Sequence, residues 1–198
     1  MSIQRKFLFS ISAVIALLAL IVATATVITT SSTISDQVQE QKSNTADRLV
    51  NILTITDAIM LERVKSSMSL LKLRADALGV PNQGDYVSVK NTQARQVRLG
   101  SAPQANSFDL VDSLTEVMGG TATIFSKTGD DYIRISTNVI KNGERAIGTK
   151  LAPNGKAIKK INQQQAYYGA VDILGSPYLT GYEPMFTDAG EVIGIWYV

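Results

Sequence analysis

Arg134 lies in the middle of the run DDYIRISTN, with Ser136 and Asn138 at the alternating positions that share its side if the run is a β-strand. A guanidinium so placed can hold a carboxylate through two parallel N–H bonds, which a lysine cannot do. Tyr178, Thr180 and Tyr182 alternate along a second run and offer hydroxyl donors to one face. Arg145 and Thr149, four apart in a glycine-containing segment, could complete the rim, and Tyr168 could close it from a neighbouring strand. Convergent polar groups on an otherwise apolar wall are what a small-molecule pocket needs. Each residue also has an ordinary alternative. Arg134 could be a solvated strand charge, and Arg145 could pair with Asp131 or Glu144. The tyrosines could be core with the hydroxyl at the rim.

The remaining chemistry is narrow. The 198 residues contain 0 His and 0 Cys. This excludes histidine acid–base work, Ser–His and Cys–His nucleophiles, disulfides, and His- or Cys-built metal sites. No cofactor and no metal are expected. Asp130-Asp131 has no further acids nearby and reads as a solvated turn rather than a cation site. An enzyme would have to use Ser–Lys or paired carboxylates, and no spacing supports either, so the chain is not expected to be one. The formal charge is +2, from 19 Lys+Arg against 17 Asp+Glu, with no basic stripe for nucleic acid.

These residues sit in the strand-and-turn half of the chain. All 14 Gly and all 5 Pro lie at or after Gly79. The patterning predicts a helix over Phe108–Met118, capped by Asn106 or Ser107 and ended by Gly119-Gly120. Strands follow at Thr121–Ser126 and Tyr132–Val139, with Asn142-Gly143 as a hairpin turn. Arg145–Leu151 is a less regular crossing and Pro153–Gln164 a short helix. Three more strands are read at Tyr168–Leu174, Tyr178–Phe186 and Val192–Val198. Between Val80 and Asn106 only Tyr86–Val89 reads as a strand; the rest reads as loop. The expectation is an antiparallel sheet of about five strands with helices on one side.

Upstream, Ser31–Leu78 contains no Gly, Pro or aromatic residue and carries apolar residues at steps of three and four, the mark of one long helix. Glu62/Lys65 and Lys72/Asp76 are spaced for ion pairs along its surface. Leu61–Leu78 should cover the domain's own sheet, whereas the polar stretch Ile34–Leu53 should meet a second copy in a homodimer. Phe7–Ile28 is a charge-free run of 22 residues, enough to cross a hydrocarbon core of about 30 Å. Arg5 and Lys6 precede it and the next charge is Asp36, which puts residues 1–6 in the cytoplasm and the chain after about Thr30 outside. A cleaved signal peptide, with Ala23-Thr24-Ala25 as its site, is the competing reading; the length of the run favours an uncleaved anchor.

Three blocks together, GGTATIFSKTGDDYIRISTN (119–138), ERAIGTKL (144–151) and YYGAVDILGSPYLTGYEPMFTDAGEVIGIWYV (167–198), resemble a Cache-type sensor domain of the Cache 3 group, found in bacterial methyl-accepting chemotaxis proteins. The resemblance covers about residues 31–198. It implies an α+β fold: a transmembrane helix (7–28), a long signalling and dimerisation helix (31–78), and a single PAS-like Cache lobe (79–198) with a periplasmic ligand pocket on its sheet. It also implies the inner membrane as location, and a second membrane helix and output module beyond Val198. The function expected is a membrane-anchored chemoreceptor input that binds a small molecule, a carboxylate by the arginines, and passes a signal inward. The alternatives are the input domain of a sensor kinase or cyclase and, remotely, a pilin-like structural protein, which the lack of any acid before Asp36 disfavours.

Overall fold

A computed structural model gives the backbone of residues 3–173 and 175–198, and the side chains of 14–26, 45, 47–173 and 175–198. The chain divides into two compact units, Met1–Thr56 and Asp57–Val198. Helix α1 runs over Ile3–Asp76. In the first unit its described apolar residues, among them Val14, Leu18, Ile21, Leu49 and Leu53, are exposed. Thr24, Thr26, Thr54 and Thr56 each donate a hydroxyl to a carbonyl one turn back, so these four hydroxyls are satisfied within the helix. Among the described residues no helix is long and apolar enough to cross a membrane. Of the expected span 7–28, residues 7–13 and 27–28 lie outside the described side chains, as do Ile34 and Val38 of the expected dimer stripe.

In the second unit, α1 ends where Gly79, at φ +124°, donates to the carbonyls of Ala75 and Asp76. Strands β1 (Pro81–Val89), β2 (Thr92–Leu99) and β3 (Ala102–Pro103) form a three-stranded antiparallel sheet in that order. This corrects the loop expected there. Pro81, Gly84 and Asp85 give β1 little strand propensity, and a register shift interrupts it between Gln83 and Tyr86. What holds it is its partner, whose Ala94, Val97 and Leu99 are completely buried. Helix α2 (Asp109–Met118) follows. Its N-cap is Phe108 with no side-chain bond, not Asn106 or Ser107: the Asn106 amide donates to the Ser88 carbonyl instead.

Then come β4 (Thr123–Thr128), β5 (Asp131–Thr137), the small hairpin β6 (Ile140–Lys141) and β7 (Glu144–Arg145), α3 (Lys156–Ile161), β8 (Tyr167–Ile173), β9 (Ser176–Phe186) and β10 (Val192–Tyr197). The main sheet has the order β5-β4-β10-β9-β8, all neighbours antiparallel. Five strands are therefore found where five were expected, in a PAS-like arrangement. Between β6 and β7, Asn142 and Gly143 turn the chain at φ +53° and +81°.

Both faces of the sheet are covered, which corrects the expectation of helices on one side. One face packs on Met68, Leu71 and Ala75 of α1, Leu110, Val111 and Leu114 of α2, and Val97 and Leu99 of β2. The other packs Phe125, Tyr182, Ile195 and Tyr197 against Ile158 and Ile161 of α3. Glu62 and Lys65 pair at 2.6 Å as spaced, but Lys72 passes over Asp76 and pairs with Glu183 of β9 at 2.7 Å.

Candidate functional site

The α3 face of the sheet holds Arg134, which is buried, with 5% of its surface exposed. It is no solvated strand charge. Its neighbour across the sheet is Phe125, whose ring centroid lies 5.1 Å from the guanidinium carbon. The segment after β7 runs along the open edge of β5: Gly148 and Leu151 donate to the Arg134 and Tyr132 carbonyls, and the Arg134 amide donates to the Thr149 carbonyl at 2.9 Å. Gly148 is needed there: its φ is +76° and a Cβ would lie 2.8 Å from the Val89 carbonyl oxygen. This edge brings Thr149 to the guanidinium. Arg134 Nη1 donates to Thr149 Oγ1 at 2.8 Å, and that hydroxyl donates to the Ala146 carbonyl at 2.8 Å.

No carboxylate within the described residues answers this charge. The Nε of Arg134 is buried without any hydrogen-bond partner. Burial pulls the guanidinium pKa below its ordinary value. The nearby phenols of Tyr182 and Tyr197 cannot serve as counter-charges at neutral pH, because burial raises both, Tyr197 to about 12. A buried charge left unpaired is costly, and proteins rarely keep one without a use.

Arg134 and Tyr182 line a cavity of about 550 Å³ between β5, β8 and the α3 segment. Leu151, Ala157, Val171 and Ile173 supply apolar wall, and Asp172, Lys150 and Lys156 the remaining charge. The Tyr182 ring stacks obliquely on Tyr197, centroids 4.9 Å apart, and its hydroxyl makes no hydrogen bond within the described residues. The arrangement can receive an anion: a fixed, buried guanidinium at the back, a free phenol beside it and apolar side chains along the wall. A larger cleft of about 870 Å³, lined by Arg95, Lys127, Asp130 and Glu191, mixes both signs of charge at the surface and has no buried ion.

The other expected site residues fall elsewhere, each for a local reason. Ile124 faces Ser136 while Phe125 faces Arg134, so Ile135 is an extra residue, a β-bulge in β5. The bulge turns Ser136 and Asn138 onto the α2 face, opposite Arg134. Ser136 donates to the Ser107 carbonyl. Asn138 donates to the Val111 carbonyl and Thr115 Oγ1, and accepts from the Ala122 amide at 2.7 Å.

Arg145 pairs with neither Asp131 nor Glu144: it grips both oxygens of Asp112 in α2 at 2.7 and 2.8 Å, and lies 4.4 Å above the Phe108 ring. Asp131 pairs with Lys150 and Glu144 with Lys90, both at 2.6 Å. Tyr168 is on the α1 face, donating to Glu183 at 2.6 Å. Burial alone would raise the Glu183 pKa, but the bonds from Lys72 and Tyr168 outweigh it and hold it low. Thr180 donates to the Gly169 carbonyl, and Tyr178 lines a separate groove of about 590 Å³. The structure thus joins Arg134, Thr149 and Tyr182, and separates the other six. Sequence reading missed the α3 segment as a wall, and it brought β8 to the pocket through Tyr168 rather than through Ala170–Ile173, since nothing in those residue types signals a pocket.

A model of the Cache 3/Cache 2 fusion domain matches residues 28–198. No curated protein and no solved structure matches. The chain belongs to the Cache 3/Cache 2 fusion family, whose domains are extracellular sensors of small molecules.

Proposed function

We propose that this Cache domain is the membrane-anchored, periplasmic input of a bacterial chemoreceptor, binding a small carboxylate at Arg134 and carrying out no chemistry on it. The observation that carries the reading is the buried guanidinium, unanswered by any acid of the described residues, on the wall of the 550 Å³ cavity. A ligand carboxylate supplies the missing counter-charge to the guanidinium, whose Nη1 is already bonded to Thr149. Tyr182 donates a second bond. The portion beyond the anchor is close to neutral, so no long-range field draws anions in and selectivity is local.

Calorimetry and thermal shift on the full chain in detergent, with panels of small acids, amines and sugars, test the reading. A carboxylate at 100 times its dissociation constant should stabilise the domain by about 2.7 kcal/mol. Stabilisation by amines or sugars and by no acid would refute it.

Anchoring and assembly are part of the same proposal. Residues 7–28 span the membrane once, and N-terminal sequencing of membrane-extracted protein should find no mature start near Thr26. Two copies pair in parallel along the stripe in 34–53, as sensors that signal by small helix shifts require. Single cysteines at Ile34, Val38 and Leu49 should crosslink more than one at Glu40, and equal crosslinking at all four would exclude a defined interface.

A further inference from the structure

We infer that the cavity at Arg134 selects dianions: its ligand is an aliphatic dicarboxylate, one end on Arg134 and the other on Lys156. The inference rests on the carboxylate reading above and adds the second charge. Four ionised side chains line the cavity: Arg134, Lys150, Lys156 and Asp172. Two of them are already engaged. Lys150 is held by Asp131 at 2.6 Å. Asp172 accepts the Gly175 amide at 2.9 Å, closing the β8–β9 turn.

That leaves two cations without any carboxylate among the described residues, Arg134 at the buried back and Lys156 on the exposed first residue of α3. The surface between them is apolar, from Leu151, Ala157 and Val171. A monocarboxylate answers only Arg134. An amino acid would bring its ammonium into a site where cations outnumber acids. A diacid with an aliphatic middle answers both charges and covers the apolar wall.

The two ends contribute unequally. Arg134 is dry and its pairing is strong, whereas Lys156 is solvated, and an exposed ion pair amounts to about 1 kcal/mol or less, about fivefold in affinity. Because the Lys156 end is exposed, its share is also screened by salt, while the Arg134 end is not.

The test is calorimetry on the full chain with matched probes of three to six carbons: the straight-chain monoacid, the α,ω-diacid and the ω-amino acid. The best diacid should bind about fivefold tighter than its monoacid. That ratio should fall to about one in Lys156→Met and in 0.5 M NaCl, while Arg134→Ala weakens both acids together. Equal affinity of monoacid and diacid, a ratio that survives Lys156→Met, or preference for the amino acid overturns the dianion inference and leaves the Arg134 reading standing. Failure of every acid to bind, or indifference of all of them to Arg134→Ala, overturns both.

Discussion

The two faces of the main sheet treat their polar groups in opposite ways. On the α1/α2 face three of the expected site residues found partners in their own chain: Asn138 bonds to Val111, Thr115 and Ala122, Ser136 to Ser107, and Tyr168 to Glu183, which also holds Lys72. At the edge of that face Arg145 holds Asp112. On the α3 face Arg134 has one neutral bond, to Thr149, and an orphaned Nε. The two arginines, eleven residues apart, make the point. A satisfied guanidinium contributes to folding; an unsatisfied one costs stability that a ligand can return. Polar residue type does not distinguish a site from scaffold. The state of its partners does.

The comparison predicts which variants lose binding and which lose stability. Arg134→Ala should have the largest effect, weakening carboxylate binding by at least ~30-fold, since losing one member of a buried charged pair costs about 2–5 kcal/mol. Without ligand it should melt at or above wild type, because a desolvated charge has been removed. Arg134→Lys should recover only part of the affinity, lacking the planar fork. Tight carboxylate binding by the Ala variant in calorimetry would erase the contrast between the faces.

Asn138→Ala should do the reverse. It strands the Ala122 amide and loses both bonds to α2, which costs about 1–3 kcal/mol in denaturant unfolding, with ligand affinity of the folded protein unchanged. Arg145→Ala is expected to be milder, about 1–2 kcal/mol. Its pair with Asp112 is about one-third exposed and so partly screened, and the stack on Phe108 adds a modest share. A loss of ligand affinity in either variant would show that the α2 face belongs to the site.

The smallest effect is a pH dependence. The folded pKa of Glu183 lies below its unfolded value, so its stabilisation is complete above about pH 4.5 and is lost as pH falls through the folded value. Glu183→Gln should therefore flatten the acid side of the stability curve below about pH 4.5 and leave neutral binding alone. An unchanged acid slope would mean that Lys72 and Tyr168 do not hold Glu183 in solution. Tyr182 and Glu183 are adjacent on β9, one facing the cavity and one α1, so hydrogen exchange of α1 residues 57–76 in this variant measures how tightly strand and helix are joined.

The sequence by itself determined what depends on near neighbours. Three- and four-residue spacing specified α1 and α2, period-two alternation the five strands, and Asn142-Gly143 the hairpin turn. The block around Arg134, together with the blocks at 144–151 and 167–198, marked the family, and it holds the residue on which the site reading rests. Only the tertiary structure decided which side chains meet. One extra residue, Ile135, reverses the alternation beyond it and sends Ser136 and Asn138 to the far face; local patterning does not announce such a bulge, because Ile133 and Ile135 both read as core. The β1–β2 hairpin exists through burial of β2 rather than through the weak propensity of β1. Arg145 found Asp112, thirty-three residues back, and Lys72 found Glu183, one hundred and eleven ahead, ahead of the nearer acids, because helix and sheet packing brought the distant carboxylates within 3 Å. Spacing along the chain sets which face a residue can occupy in a regular element. Which charge is left unpaired depends on long-range packing, and that is where the site was decided.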